Sequence, residues 1–135
     1  KLKLNGTGIT SLPTTIGRLT NLTHFHLDTS LPSTIGQMTN LTHIQLNCQE
    51  ITSLPTSIQY LQNLEELYLY QAVNLLELPD EIGDLGSLNK LYITDSKITT
   101  LPACISQLQN LKDLVITGTT IVSLPPSIGE LTHLK

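Results

Sequence analysis

Three of the four histidines, His24, His26 and His43, recur at spacings that would place them on neighbouring strands of one sheet. Three imidazoles at strand spacing could bind a transition metal. They could also become charged together at about pH 6 and act as a switch. No metal-binding motif accompanies them, so a solvated polar patch is the simplest interpretation. We therefore predict no metal site and no cofactor.

Three of the four tyrosines, Tyr68, Tyr70 and Tyr92, also recur at strand spacing. Tyrosine combines a large contact area with a polar hydroxyl and is enriched at binding hot spots. The cluster indicates a partner-binding surface, or alternatively a set of rings that only shields the sheet from water.

Catalytic patterns are absent from the sequence. Ser, His and Asp occur, but no nucleophile elbow holds them and no pocket is predicted that would exclude water. Gly6 and Gly8 follow a strand without a helix after them, which does not favour a phosphate loop. Cys48 and Cys104 do not form a disulfide framework and are expected to be reduced thiols. We predict that the chain is not an enzyme.

Three Asn-x-Thr triplets could carry glycans if the chain is secreted, at Asn5, Asn21 and Asn40. Alternatively, Asn21 and Asn40 belong to a recurring Asn-Leu pair, and the threonine that follows each is coincidental. Charged residues make up only 13% of the chain, with threonine and serine in their place, which favours an extracellular or cell-surface location.

The net charge of −4 gives no basic surface for nucleic acid, and no apolar run is long enough to span a membrane. The hydrophobic fraction of 39% is adequate for a core if the apolar residues are well placed.

Their placement is periodic. Leu-Pro pairs begin at residues 12, 31, 54, 78, 101 and 124, so the first step is 19 residues and the others are 23 or 24. A pattern LxxLxL follows each of the first five pairs, as in Leu41-Ile44-Leu46. Its alternation predicts a strand with one buried face. In the returning segments, Pro and Gly prevent a long helix, while Ile16 and Leu19 and their equivalents are expected to point inward.

These units resemble the leucine-rich-repeat family, in the form LPxxIGxLxNLxxLxLxxxxIxxLP, over the whole chain. The resemblance implies an α/β solenoid: a right-handed coil of about six repeats with a parallel β-sheet on its concave face. Residues 1–135 would form a single domain. Members of the family include intracellular scaffolds, so the resemblance favours a cytoplasmic location.

The resemblance also implies that strand residues between the leucines face outward on the concave side. A non-catalytic module would bind a protein partner there. The predicted partner-binding residues are Tyr68, Tyr70, Tyr92, His26, Gln45, His24 and His43. The alternative function is a structural building block that stacks with copies of itself.

The sequence departs from the family pattern at three places. The asparagine that often follows the strand is replaced at Thr7, Gln49, Ser96 and Thr119. We therefore expect a weaker, hydroxyl-based ladder between repeats. The repeat after Leu27 is four residues short, which should pinch the solenoid, and the repeat after Leu69 has one extra residue, which should form a bulge.

No polar capping unit is visible at either end of the sequence. The chain starts and stops in mid-pattern, and joining Lys135 to Lys1 would restore LxxLxL. We therefore expect another copy, or an adjoining stretch of a longer chain, to continue the stack. The alternative is that the sequence is a fragment cut at a repeat boundary. The predicted stacking residues are Leu2, Leu4, Leu131 and Leu134.

Overall fold

A computed structural model describes residues 1–47 and 49–135, so the prediction for Cys48 lies outside the described residues. Strands and short helices alternate along the chain. The strands are β1 (Leu2–Lys3), β2 (His24–Leu27), β3 (His43–Asn47), β4 (Glu66–Tyr70), β5 (Lys90–Thr94) and β6 (Asp113–Thr117). They form one parallel sheet in the order β1-β2-β3-β4-β5-β6, so each coil pairs with the next. The predicted solenoid is confirmed.

The segments that return the chain between strands are 3₁₀-helices of five residues. Their bounds are Thr14–Arg18, Ser33–Gln37, Thr56–Tyr60, Asp80–Asp84, Ala103–Gln107 and Pro126–Glu130. A proline precedes each one, because its restricted φ suits the residue before a helix and its missing N–H costs no bond there. The N–H of Ile35 then donates to the carbonyl of Pro32 at 3.0 Å, a three-residue bond. The helical part of the predicted fold is therefore 3₁₀ rather than α among the described residues.

Apolar side chains from the strands and the 3₁₀-helices fill one continuous core. In the middle repeats, Leu67 and Leu69 of β4 meet Ile58 and Leu61, and all four are fully buried. Because each coil has only one apolar layer, it needs its neighbours on both sides to cover that layer. The first repeat has a neighbour on one side only in the described chain. Leu19, predicted to point inward, is for this reason 44% exposed.

Side-chain amides bridge neighbouring coils, but at positions other than those for which the sequence predicted hydroxyl bridges. The Nδ2 groups of Asn40, Asn63 and Asn110 donate to backbone carbonyls of the preceding repeat at 2.7–2.9 Å. By contrast, the hydroxyl of Thr7 bonds within its own turn, and the buried Ser96 hydroxyl has no partner among the described residues. The predicted hydroxyl ladder is therefore wrong at those two positions.

The short repeat keeps the sheet in register, since Phe25 pairs with Ile44 and Leu27 with Leu46. Thr29 is buried in its shortened loop and donates to the Thr10 carbonyl at 2.8 Å, a role that the sequence analysis missed. In the longer repeat, the N–H of Leu75 donates to the Ala72 carbonyl at 2.9 Å, so the extra residue is accommodated in a turn after β4.

Candidate functional site

The solvent-facing side of the sheet, which we call the sheet face, carries the outward residues of β1 to β6. The register aligns His24, His43, Glu66, Lys90 and Asp113 in one column. A second column contains His26, Gln45, Tyr68, Tyr92 and Val115. These residues are outward-facing, as expected from the sequence for strand residues between the leucines. Parallel strands lie about 4.8 Å apart, so neighbours in a column can touch.

The tyrosines form a connected cluster. The Tyr68 ring centroid lies 5.0 Å from that of Tyr92 and 5.7 Å from that of Tyr70, with tilted or offset rings. All three side chains are half-buried. Partial burial raises the pKa of Tyr68, and its hydrogen bond to Glu66 raises it further. The phenol of Tyr68 therefore remains a hydrogen-bond donor at any ordinary pH.

Glu66 is the hub of the polar network, although the sequence analysis did not select it. Its carboxylate accepts from the Tyr68 hydroxyl at 2.8 Å and from Lys90 Nζ at 2.9 Å. His43 Nε2 lies 3.3 Å from Glu66 Oε2, the same oxygen that accepts from Tyr68. Burial raises the pKa of Glu66, but the hydrogen bonds from Lys90 and Tyr68 outweigh it and lower the pKa overall. The opposite charges of Glu66 and Lys90 at equivalent positions were the signal that could have revealed the hub.

The His24 and His43 rings stack face to face, with centroids 4.2 Å apart and planes 6° from parallel. Each Nδ1 also lies within hydrogen-bond distance of the preceding threonine hydroxyl, at 2.9 Å for Thr23 and 2.7 Å for Thr42. Partial burial lowers the pKa of His24, and the charges of His43 and Lys1 lower it further. The stack therefore favours a neutral His24 imidazole.

A shallow depression of about 410 Å³ joins the histidines to the tyrosines. Its lining residues are Lys1, His24, His26, His43, Ile44, Gln45, Glu66, Tyr68 and Tyr70. It thus contains six of the seven predicted partner-binding residues, and Tyr92 contacts Tyr68 at its edge. The depression is open to solvent and suits side chains of a partner better than an enclosed small molecule.

The other predicted sites lie elsewhere. Leu2, Leu4 and Leu134 are half-buried in the outermost layers, and Leu131 is buried. Of the possible glycosylation sites, Asn5 donates its Nδ2 to Asp28 at 2.8 Å and Asn40 donates to the Thr20 carbonyl at 2.8 Å. A glycan attached at Nδ2 would have to displace or share these bonds, whereas Asn21 is exposed.

Within residues 1–47 and 49–135 there is no group of three or more His, Cys, Asp or Glu side chains arranged to hold a metal. Cys104 is half-buried away from the sheet face, and burial raises the pKa of its thiol, which disfavours the reactive thiolate. No helix in the described part of the chain combines the length and apolarity of a membrane span.

Solved structures with the same coil define the family. A leucine-rich-repeat protein of Leptospira interrogans is 40% identical, with a TM-score of 0.93 over 100% of this chain and 35% of its own. The plant peptide hormone receptor RGFR1, solved in complex with RGF2, is 26% identical, with a TM-score of 0.75 over 93% of this chain and 22% of its own. The internalin InlF of Listeria monocytogenes is 22% identical, with a TM-score of 0.76 over 94% and 36%.

The chain therefore belongs to the leucine-rich-repeat proteins, as its sequence pattern and fold both show. It spans 35% of the length of the Leptospira protein. No family model matches it, and no curated protein matches it significantly.

Proposed function

We propose that the chain is a non-catalytic recognition module that binds a protein partner on the sheet face. The tyrosine cluster is the centre of the contact surface, and His24, His26, His43 and Gln45 form its margin. The observation that carries this proposal is the packing of three half-buried rings beside a shallow depression. Aromatic side chains supply large contact areas at little cost in conformational entropy.

The polar network supports the same proposal because it holds the cluster in place. Tyr68 is fixed by its neighbours Tyr70 and Tyr92 and by the hydrogen bond to Glu66, which Lys90 in turn holds. A partner therefore meets rings that are already ordered, and binding loses less side-chain freedom. RGFR1, a plant peptide hormone receptor with the same fold, was solved in complex with RGF2, which gives the proposal a precedent.

The test is selection of peptides from a displayed random library on the immobilised chain, followed by calorimetry with the selected sequences. In the variant combining Tyr68→Ala and Tyr92→Ala, affinity should fall by about 5- to 30-fold, equivalent to about 1–2 kcal/mol. The matched control is Tyr60→Ala, because Tyr60 is 59% exposed on a 3₁₀-helix outside the sheet. Unchanged affinity in the double variant, or an equal loss in the control, would show that the tyrosine cluster is not the recognition surface.

A second candidate is end-to-end stacking with copies of the same chain. The supporting observation is a depression of about 430 Å³ beside the last strand, formed mainly by aliphatic side chains. The residues lining it are Leu114, Ile116, Thr119, Ile121, Leu124, Ile128 and Leu134. Sedimentation velocity over a range of concentrations tests the idea. Assembly should grow with concentration and disappear in Ile116→Glu, whereas a monomer at every concentration would contradict stacking.

A further inference from the structure

The sheet face has an electropositive half that neither the tyrosine cluster nor the fold explains. It surrounds the stacked pair His24 and His43. The titratable groups around this pair are the side chain and amino group of Lys1, His26 on β2, and Glu66, Tyr68 and Tyr70 on β4. Lys3 lies beside His26, and Lys90 lies beyond Glu66. Histidine and lysine outnumber carboxylates here, so the local charge becomes more positive as pH falls.

The carboxylates near this half are already engaged. Glu66 accepts from Lys90 and Tyr68, and Asp28 accepts from the amide of Asn5 and the backbone N–H of Gly6. Both ion pairs formed among the described residues run to Glu66. Lys1, Lys3 and His26 therefore have no carboxylate partner within that part of the chain.

The hydroxyl of Thr42 couples the charge of His43 to this arrangement. It lies 2.7 Å from His43 Nδ1 and 3.1 Å from the Thr23 carbonyl, but it has only one proton to donate. When that proton goes to the carbonyl, the hydroxyl can only accept from Nδ1–H. When the proton instead goes to Nδ1, His43 can be neutral and still donate from Nε2 to Glu66, so these contacts fit both charge states of His43.

A charged His43 opposes a second charge on His24, because the two rings are parallel and 4.2 Å apart. A carboxylate placed beside the stack would offset this repulsion and favour proton uptake by His24. Burial and the charges of Lys1 and Lys3 likewise lower the pKa of His26, so an added negative charge would favour its protonation too.

We infer that the stacked histidines and Lys1 form a site for an acidic segment of the partner, and that this segment binds more tightly as pH falls. The inference rests on the proposed function only in placing the partner on the sheet face. The tyrosine cluster would contact apolar side chains of the partner, and the histidine half would contact its carboxylates. Charge complementarity selects this class of partner over a neutral or basic one.

The experiment uses a blocked peptide of alternating Glu and Gly, with a Gln-and-Gly peptide as its control, followed by NMR of the histidine ring protons. At about pH 5.5 the Glu peptide should shift the His24, His26 and His43 signals and leave the His133 signal unchanged. Its affinity should be about tenfold higher than at about pH 7.5, because binding is linked to proton uptake. Equal binding of the two peptides, or equal affinity at the two pH values, would overturn the inference.

Variants locate the effect. His24→Gln and His43→Gln should each remove most of the pH dependence. Lys1→Gln should weaken binding at both pH values and leave the fold intact, because Lys1 is exposed. His133→Gln is the control, since His133 is exposed in the last coil. A pH dependence that survives both histidine variants would contradict the inference. If the Tyr68 and Tyr92 variants leave library-selected peptides unaffected while these results hold, only the tyrosine proposal fails.

Discussion

The inside of the coil and the sheet face are built from alternate residues of the same strands, yet they behave differently. Leu67 and Leu91 occupy equivalent inward positions, and both are fully buried leucines. On the outward side, the column through Gln45, Tyr68 and Val115 changes chemistry from strand to strand. Successive side chains of a strand point to opposite faces, so one surface can maintain the stack while the other varies. Substitutions inside should therefore change stability, and those on the sheet face should change binding.

The largest expected effect is the loss of stability caused by a cavity inside the coil. Leu67→Ala removes a fully buried side chain from a layer covered on both sides, and should lower the free energy of unfolding by about 2–5 kcal/mol. Leu2→Ala should cost less, because Leu2 is only half-buried in the first layer. Denaturant titration measures both. Small and equal effects would mean that the layers do not stabilise one another.

A second effect tests how closely the coils approach. A Cβ on Gly36 would lie 2.6 Å from the Ser57 carbonyl oxygen and 2.9 Å from Tyr60 Cδ2. Gly36→Ala should therefore cost about 1–3 kcal/mol through overpacking. The equivalent Gly129→Ala meets nothing within 4 Å and should be neutral or stabilising by up to about 1 kcal/mol. Thermal unfolding that shows equal shifts for the two variants would rule out this packing constraint.

A smaller effect concerns the amide bridges. Asn63→Ala removes the hydrogen bond to the Thr39 carbonyl at 2.9 Å and should cost about 0.5–1.5 kcal/mol. Asn21→Ala is the matched control, because Asn21 occupies the equivalent position in the first repeat, is exposed and should contribute less. Chemical denaturation that ranks the two variants in the opposite order would show that the bridges do not stabilise the stack.

The smallest expected effect is on the pH dependence of stability, which should respond to a substitution on the sheet face but not to one inside the coil. The folded-state pKa of His24 and His26 is lowered from 6.5, so between the folded and unfolded values the unfolded chain binds more protons. The stability that the neutral histidines contribute is fully present above pH 6.5. It is lost as the pH falls through the lowered folded-state pKa of each histidine. His24→Gln should reduce the loss of stability on acidification, whereas Leu67→Ala should leave the pH slope unchanged. Unfolding curves at several pH values measure it, and an unaltered slope in His24→Gln would contradict the assignment.

Most of the fold could be predicted from sequence because its determinants recur. The strands, their buried leucines and the outward residues between them were predicted, and the observed register agrees. The prediction that Leu19 belongs to the buried core was wrong, because periodicity assigns the same environment to every repeat. The exposure of an outermost residue depends on whether another layer covers it.

The candidate site was only partly predictable. The tyrosines and histidines were found because their types are informative and their spacing is that of the strands. Glu66 was not selected, because an outward-facing carboxylate is normally interpreted as a solvated charge until its hydrogen-bond partners are known. Thr29 was missed for a related reason: the shortened loop that buries it has no counterpart in the other repeats.

By itself, the sequence determined the repeat, the alternation of buried and exposed positions, and which residues share a column. These follow from local periodicity, which acts through one coil at a time. Only the tertiary structure decided that His24 and His43 stack, that Tyr68 and Lys90 converge on Glu66, and that Asn63 rather than Ser96 bridges two coils. The physical reason is that hydrogen bonds and ring contacts depend on ångström-scale distances and side-chain rotamers across neighbouring coils. Residues that are far apart along the chain acquire those distances only when the coils are stacked.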